Sequence, residues 1–302
     1  MSAKIIYHNS NCIVFNPSLS GDISKISKVL DYESFVPEKR GIDLIELVDP
    51  EHDYTVKSTY YKVKKTYFVG TTEIKENNYI IEQTKMGTSL RDIKLSTDNY
   101  KEIMYSLIRV FDFILLMIKK NVIHTDLKLG NIVHDGSKSY IIDYGLVSKF
   151  DKIEFYCDSI YPYFSVEVYL SNTSDYYHKH YIYSVDEYTK RYRTSSYFKY
   201  ITKKCNKLFS VDLLYIFDNQ MSDFEKQLDH NELKKLLKKT DLFSFSFSLL
   251  ELAIDISEFD NEFSIKLVLF LLGERLLCFN PIIRIDTETA LIKFTNFLIE
   301  NL

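Results

Sequence analysis

The first 80 residues alternate short runs of β-branched and aromatic residues, KIIYHNSNCIVF, KKTYFVG and NNYIIEQ, with polar turn formers. Runs of this length and composition predict strands, and EKRGIDLIELV between them predicts a helix, so the N-terminal part reads as a small mixed sheet carrying one helix. From about residue 98 the period changes. YKEIMYSLIRVFDFILLMIKK places Ile103, Leu107, Val110, Phe111 and Leu115 on one helical face. FSFSFSLLELAI, LVLFLLGERLLCF and TETALIKFTNFLIE extend the helical pattern to the end of the chain. QTKMGTSL, with Gly87, reads as the connector between the two parts. The boundary is placed there, giving segments 1–84 and 85–302.

The most apolar stretches, LIRVFDFILLMI and LVLFLLGERLLCF, are broken by Arg109, Asp112, Glu274 and Arg275. They fall short of the ~18 to 20 residues of a membrane span and read as buried helices. A chain of 302 residues can bury a substantial core. Its 38 basic and 42 acidic residues give a net charge of -4, which provides no global attraction to nucleic acid or membrane. Cys12, Cys157, Cys205 and Cys278 form no paired motif, so neither zinc nor a disulfide framework is expected. MSAKIIYHNSNCIVF lacks the features of a secretory signal. The expected setting is intracellular and cytoplasmic, without a membrane partner.

One region departs from this balance. From Ser171 to Ser210 there are eight basic residues against three acidic ones, together with many tyrosines.

The chemistry concentrates at 122–150, VIHTDLKLGNIVHDGSKSYIIDYGLVSKF. A loop bearing Asp126, Lys128 and Asn131 can aim all three side chains into one pocket. Phosphoryl transfer uses such a set: the aspartate takes the hydroxyl proton, the lysine neutralises phosphate charge, and the asparagine offers oxygen to Mg²⁺. Asp143, ending an apolar strand in YIIDYG, is a second candidate metal ligand, and Gly145 is expected to allow a sharp turn after it.

HTDLKLGN resembles the H-R-D-x-K-x-x-N catalytic loop of protein kinases, and DYG resembles their D-F-G. YIIEQTKMGTSL resembles the fifth strand and hinge, which implies backbone contacts to adenine from Glu82 to Thr84 and Ile81 at the back of the pocket. YPYFSVEV resembles the A-P-E segment, DLFSFSFSLLEL the central helix opened by a buried aspartate, Asp241, and NPIIRIDTETAL the late P-x-x-R segment. Arg284 is then expected to clamp Glu167 in a bidentate ion pair. DISKISKVL resembles the strand, loop and Ser-Lys pattern of kinases from large DNA viruses. That pattern implies Lys25 as the phosphate-binding lysine, with Lys28 as the alternative, and Glu38 as its helix partner, with Glu46 as the alternative.

The resemblance implies a bilobal α+β kinase fold, ATP and Mg²⁺ as cofactors, a protein Ser/Thr substrate and Asp126 as base. Host cytoplasm or a virion would be the location for a viral member. The chain departs from the pattern in three places. YHNSNCIVF carries no glycine where kinases have a glycine-rich phosphate loop. Thr125 replaces the arginine that clamps a phosphorylated activation segment, so no such phosphorylation is expected to be required. Glu167 and Asp241 are far apart, making 168–238 a basic, Tyr-rich insertion that could dock an acidic substrate or a nucleic-acid strand. Two rival functions remain at this level: a pseudokinase acting as a binding module, and a small-molecule phosphotransferase of the aminoglycoside or choline kinase type.

Overall fold

The computed structural model describes residues 3–8, 12–153, 161–171, 184–229 and 232–302. In the N-terminal part, β1 (Lys4–His8), β2 (Cys12–Asn16), β3 (Lys25–Leu30), β4 (Ser58–Lys62) and β7 (Tyr79–Thr84) form one antiparallel sheet in the order β1-β2-β3-β7-β4. A hairpin of β5 (Tyr67–Val69) and β6 (Thr72–Ile74) lies between β4 and β7 in sequence.

Strand alternation divides this sheet into two faces. In register, Lys28 stands opposite Val14 and Ile81, and Ile26 opposite Gln83. The other face carries Phe15, Val29 and Ile80, which bury with Val63 and Ile74 in a small core.

Helix α1 (Tyr32–Val48) opens at Asp31, whose carboxylate accepts the Ser34 N–H at 2.8 Å. The helix therefore starts six residues before EKRGIDLIELV and runs through Pro37. Gly41 is the point of closest approach to the segment that follows Asp143: a Cβ there would lie 1.8 Å from the Tyr144 carbonyl oxygen.

Strand β8 (Thr88–Ser89) pairs with β10 (Ile132–His134), which pairs in turn with β11 (Ser139–Ile141). Strand β9 (Val122–Ile123) pairs with β12 (Ser148–Lys149). These short ladders hold the 124–131 loop between two fixed ends. Beneath them pack α2 (Tyr100–Ser106), α3 (Ile108–Lys119), α9 (Thr240–Ile256), α10 (Asn261–Gly273) and α11 (Thr287–Asn301). The helical pattern from residue 98 is thus two helices, broken at Leu107. Apart from Asp255, every residue of α9 is buried.

Between the two halves of this helical part stand α4 (Val166–Leu170), α5 (Val185–Thr194), α6 (Ser196–Phe209), α7 (Leu213–Gln227) and the short α8 (Leu233–Leu236). The described part of the insertion is therefore helical. Tyr188 and Tyr192 of α5 are fully buried, with Tyr192 stacked on Phe217 at 4.9 Å. Among the described residues no helix is long and apolar enough to cross a membrane. Cys12, Cys205 and Cys278 are buried, while Cys157 lies outside the described residues.

Candidate active site

The loop after β9 is hung from α9. Asp241 accepts the backbone N–H of His124 at 2.9 Å and of Thr125 at 2.7 Å. Burial pushes this carboxyl up to about 6, against those two hydrogen bonds, which lower it. The anchoring holds Thr125 at φ 64, a left-handed conformation that costs a β-branched residue roughly 1 to 3 kcal/mol. The Thr125 hydroxyl reaches the carbonyls of His124 at 2.7 Å and Leu146 at 3.2 Å.

Asp126 follows, tied to Lys128 and Asn131, which line the cleft. Its Oδ2 accepts from Lys128 Nζ and from Asn131 Nδ2, each at 2.8 Å, while Oδ1 has no partner among the described residues. Burial raises the Asp126 pKa, and the Lys128 ammonium opposes that rise. Asn131 also donates to the Asp126 carbonyl at 2.9 Å, so its amide oxygen is left for other use. His124 is fully buried, and burial lowers its pKa to about 4. It packs edge-on to Tyr144 at 6.3 Å as a neutral wall.

Asp143 is itself in the left-handed region, at φ 67, and Gly145 is not. The turn expected of Gly145 is thus made at Asp143. Gly145 serves by lacking a Cβ, which would stand 3.3 Å from Glu38 Oε1.

The lysine that meets these acids is Lys28. Its Nζ pairs with Glu38 Oε1 and lies 2.9 Å from Asp143 Oδ1. Lys25 stands three residues earlier on β3, on the opposite face, and reaches only Asp22 at 3.7 Å. The structure thus brings the alternative, Lys28, and not Lys25, to Glu38 and Asp143. Glu38 takes the expected place on α1, whereas Glu46 turns to His52 at 3.2 Å. Burial lowers the Lys28 pKa, but Asp143 and Glu38 together raise it further, so the ammonium stays charged. Lys28 holds the Asp143 carboxyl well below the usual carboxylate range, while burial raises that of Glu38.

Two adjoining cavities occupy the cleft. One of about 620 Å³ is lined by Cys12, Val14, Lys28, Glu38, Asn131 and Asp143. The other, about 270 Å³, is walled by Ile26, Val56, Gln83, Val133 and Ile142 and floored by 84–89. Ile81 lies on the same sheet face as Lys28 and is fully buried. Glu82 points to the other face, and both edges of β7 are occupied by β3 and β4. The Thr84 N–H already bonds to Lys57 O at 3.1 Å. The wall therefore begins at Gln83 and continues past Thr84, later than the Glu82 to Thr84 expected from sequence. Ile26, Val133 and Ile142 were missed; Ile26 was readable, since it stands two residues before Lys28 and so shares its face. Residues 9–11 of the glycine-free loop lie outside the described residues.

The segment after the cleft is also tied down. Arg284 and Glu167 are fully buried and meet through one contact, Nη1 to Oε1, at 2.5 Å. Among the described residues Glu167 Oε2 and Arg284 Nη2 have no partner, so the pair is monodentate and not the expected bidentate clamp. The geometry is set by the other Arg284 bonds, Nε to Cys278 O at 2.8 Å and Nη1 to Lys239 O at 3.0 Å. The buried tyrosines of α5 donate to the same segment, Tyr192 to Pro162 O at 2.6 Å and Tyr188 to Phe164 O at 3.1 Å.

A five-stranded antiparallel sheet over a helical part, with a cleft between them, is a protein-kinase-like fold. The chain is similar in structure to the autoinhibited serine kinase domain of the giant muscle protein titin, with a TM-score of 0.53 and 15% identity over 99% of this chain and 80% of that one. No protein-family model and no curated protein matches the chain.

Proposed function

We propose that the chain is a protein kinase that transfers the γ-phosphate of ATP, with Mg²⁺, to serine or threonine of a protein substrate. One observation carries this reading: Lys28 joins Glu38 of α1 to Asp143 in the same cavity that Asn131 lines, beside Asp126. A folded chain has little reason to gather two carboxylates and an ammonium against a cavity unless charge is to be handled there.

The donor set fits a hard cation. Asp143 and the free amide oxygen of Asn131 would hold Mg²⁺, and the described residues contain no cluster of three or more His, Cys, Asp or Glu. That suits an ion whose remaining positions are filled by water and phosphate oxygens. Bound there, it would neutralise charge on the phosphates.

The chain's own residues supply the rest. Glu38 orients Lys28 toward the phosphate end of the cavity, and the apolar walls Ile26, Val133 and Ile142 suit a flat base. Asp126 Oδ1, buried and unpartnered, is free to accept the proton of an attacking hydroxyl, and its raised pKa makes it a better base. Lys128 holds the other carboxylate oxygen and stands over the Tyr161 ring at 5.2 Å. The Ser/Thr preference rests on the resemblance of this lysine-bearing loop to Ser/Thr kinases. The Ser-Lys pair of DISKISKVL that fits the viral pattern is Ser27-Lys28.

The test is calorimetry of ATP with and without Mg²⁺, beside radiolabelled transfer to a generic basic protein. Wild type should bind in a Mg²⁺-dependent way and transfer phosphate. Asp126→Asn should bind nearly as well and lose roughly 10² to 10⁴ in rate. Undiminished transfer by that variant refutes the base. Folded protein that binds no nucleotide replaces the kinase with a pseudokinase binding module, and turnover of sugars or choline replaces it with a small-molecule phosphotransferase.

A further inference from the structure

Helix α6 reads SYFKYITKKCNKLF, with Lys199, Lys203, Lys204 and Lys207 and no acidic residue. Elsewhere on the insertion several charges are matched locally. Lys190 pairs with Asp186, Arg191 with Glu187, Arg193 with Asp218 and Lys226 with Asp223. Lys204 lies within electrostatic reach of Asp255, but among the described residues none of Lys199, Lys203 and Lys207 has an acidic partner. In a chain of net charge -4, such a surface attracts where the rest of the molecule repels.

Three of these lysines line a groove. Lys199, Lys203 and Lys207 recur every four residues, and with Phe198, Thr202 and Leu214 they bound a cavity of about 590 Å³ between α6 and the start of α7. At 1.5 Å per residue the three ammonium stems span about 12 Å. That is the length of about four residues of extended chain. The floor is apolar, and the Thr202 hydroxyl is shielded from solvent without a hydrogen-bond partner among the described residues.

We propose that this groove docks an acidic peptide segment of a protein partner, its carboxylates along the lysine stripe and one apolar side chain over the exposed Leu214. A peptide fits better than a nucleic-acid strand. Binding of single strands relies on aromatic faces for stacking, and the groove offers none. Phe198 is fully buried, and Tyr188 and Tyr192 are spent in the core. The exposed Tyr200 is one turn from Lys203 on α6 but does not line the groove, and the Lys204 ammonium stands 5.7 Å from its ring. Tyr197, on the face of α6 turned from the groove, reaches the Tyr163 hydroxyl at 3.5 Å. The groove thus opens away from the acceptor site, and a segment lodged in it tethers a partner without entering the cleft. The inference does not depend on phosphate transfer and can be read without nucleotide.

The experiment is fluorescence anisotropy of a labelled short peptide of Asp and Glu with one central Leu, beside a single-stranded oligonucleotide, at low salt. Wild type should bind the peptide, and the Lys199→Glu, Lys203→Glu, Lys207→Glu triple variant should bind it about tenfold more weakly or worse. The charge-matched triple Lys64→Glu, Lys65→Glu, Lys75→Glu on the N-terminal part should leave affinity within about twofold, and Lys→Gln at the α6 positions should fall between. Unfolding midpoints guard against a folding defect; a neutral variant that folds and binds like wild type overturns the proposal. Equal loss in both Glu triples, absent peptide binding, or tighter oligonucleotide binding that the α6 triple abolishes also overturns it.

Discussion

Replacing Gly41 by alanine sets two physical effects against each other. Alanine in a helix interior is favoured over glycine by about 0.8 to 1.0 kcal/mol. The new Cβ, however, would lie 1.8 Å from the Tyr144 carbonyl oxygen, 2.6 Å from its carbon and 2.8 Å from its Cβ. Backbone cannot rotate away as a side-chain tip can, so α1 must retreat by roughly 1.6 Å to restore van der Waals contact. Overpacking of this kind costs about 1 to 3 kcal/mol, leaving a net loss of about 0 to 2 kcal/mol. The larger effect falls on the site. Glu38 lies one turn from Gly41 on α1, so the retreat draws its carboxylate from Lys28, and misplacement of about 1 Å costs on the order of a hundredfold in rate. Gly273→Ala is the control, since at the end of α10 its Cβ would meet nothing within 4 Å. Denaturant melts and phosphate-transfer rates of both variants decide the matter. If Gly41→Ala gains as much stability as Gly273→Ala and keeps its rate, α1 does not rest on Tyr144 as described.

Lys28→Met should weaken Mg²⁺-ATP binding by about tenfold or more because Glu38 and Asp143 lose their shared cation, whereas Lys25→Met should stay within about twofold; calorimetry that ranks them the other way reverses the assignment. Arg284→Met strands the buried Glu167 carboxylate and should cost about 3 to 5 kcal/mol in denaturant melts, part of which returns when Glu167→Gln is added. A cost under about 1 kcal/mol would show that the pair is not buried. Glu251, which accepts from the Tyr163 hydroxyl at 2.5 Å, is raised by burial to about 7. Its folded pKa exceeds its unfolded one, so its contribution is full below about pH 4.5 and is lost as pH rises through 7. Glu251→Gln should therefore gain on wild type by up to about 3 kcal/mol between pH 4.5 and 7.5, and a flat difference would refute the shift.

The catalytic loop was legible because its chemistry is contiguous: Asp126, Lys128 and Asn131 sit within six residues, and the fold had only to hold them. Asp241 and Arg284 were legible from the order of the pieces. The lysine was not, because DISKISKVL offers two Ser-Lys pairs of opposite parity and only the pairing of β3 with β7 decides which faces the cleft. Pro37 concealed the start of α1, since proline within a helix reads as a stop. The cavity wall was misplaced for a related reason: nothing local shows that β4 covers the second edge of β7. The tyrosines of the insertion looked like a stacking surface, but burial made Tyr188 and Tyr192 core, while Tyr200 and Tyr215 are exposed.

Three bonds that tie the segment beyond the cleft, from Thr125 to Leu146, Tyr192 to Pro162 and Tyr188 to Phe164, all run from a hydroxyl to a backbone carbonyl. Hydroxyl donors carry no charge to screen, and burial raises the pKa of both tyrosines well above the ordinary value, which keeps them protonated at any pH the fold survives. At these three points neither ionic strength nor a phosphatase has anything to act on.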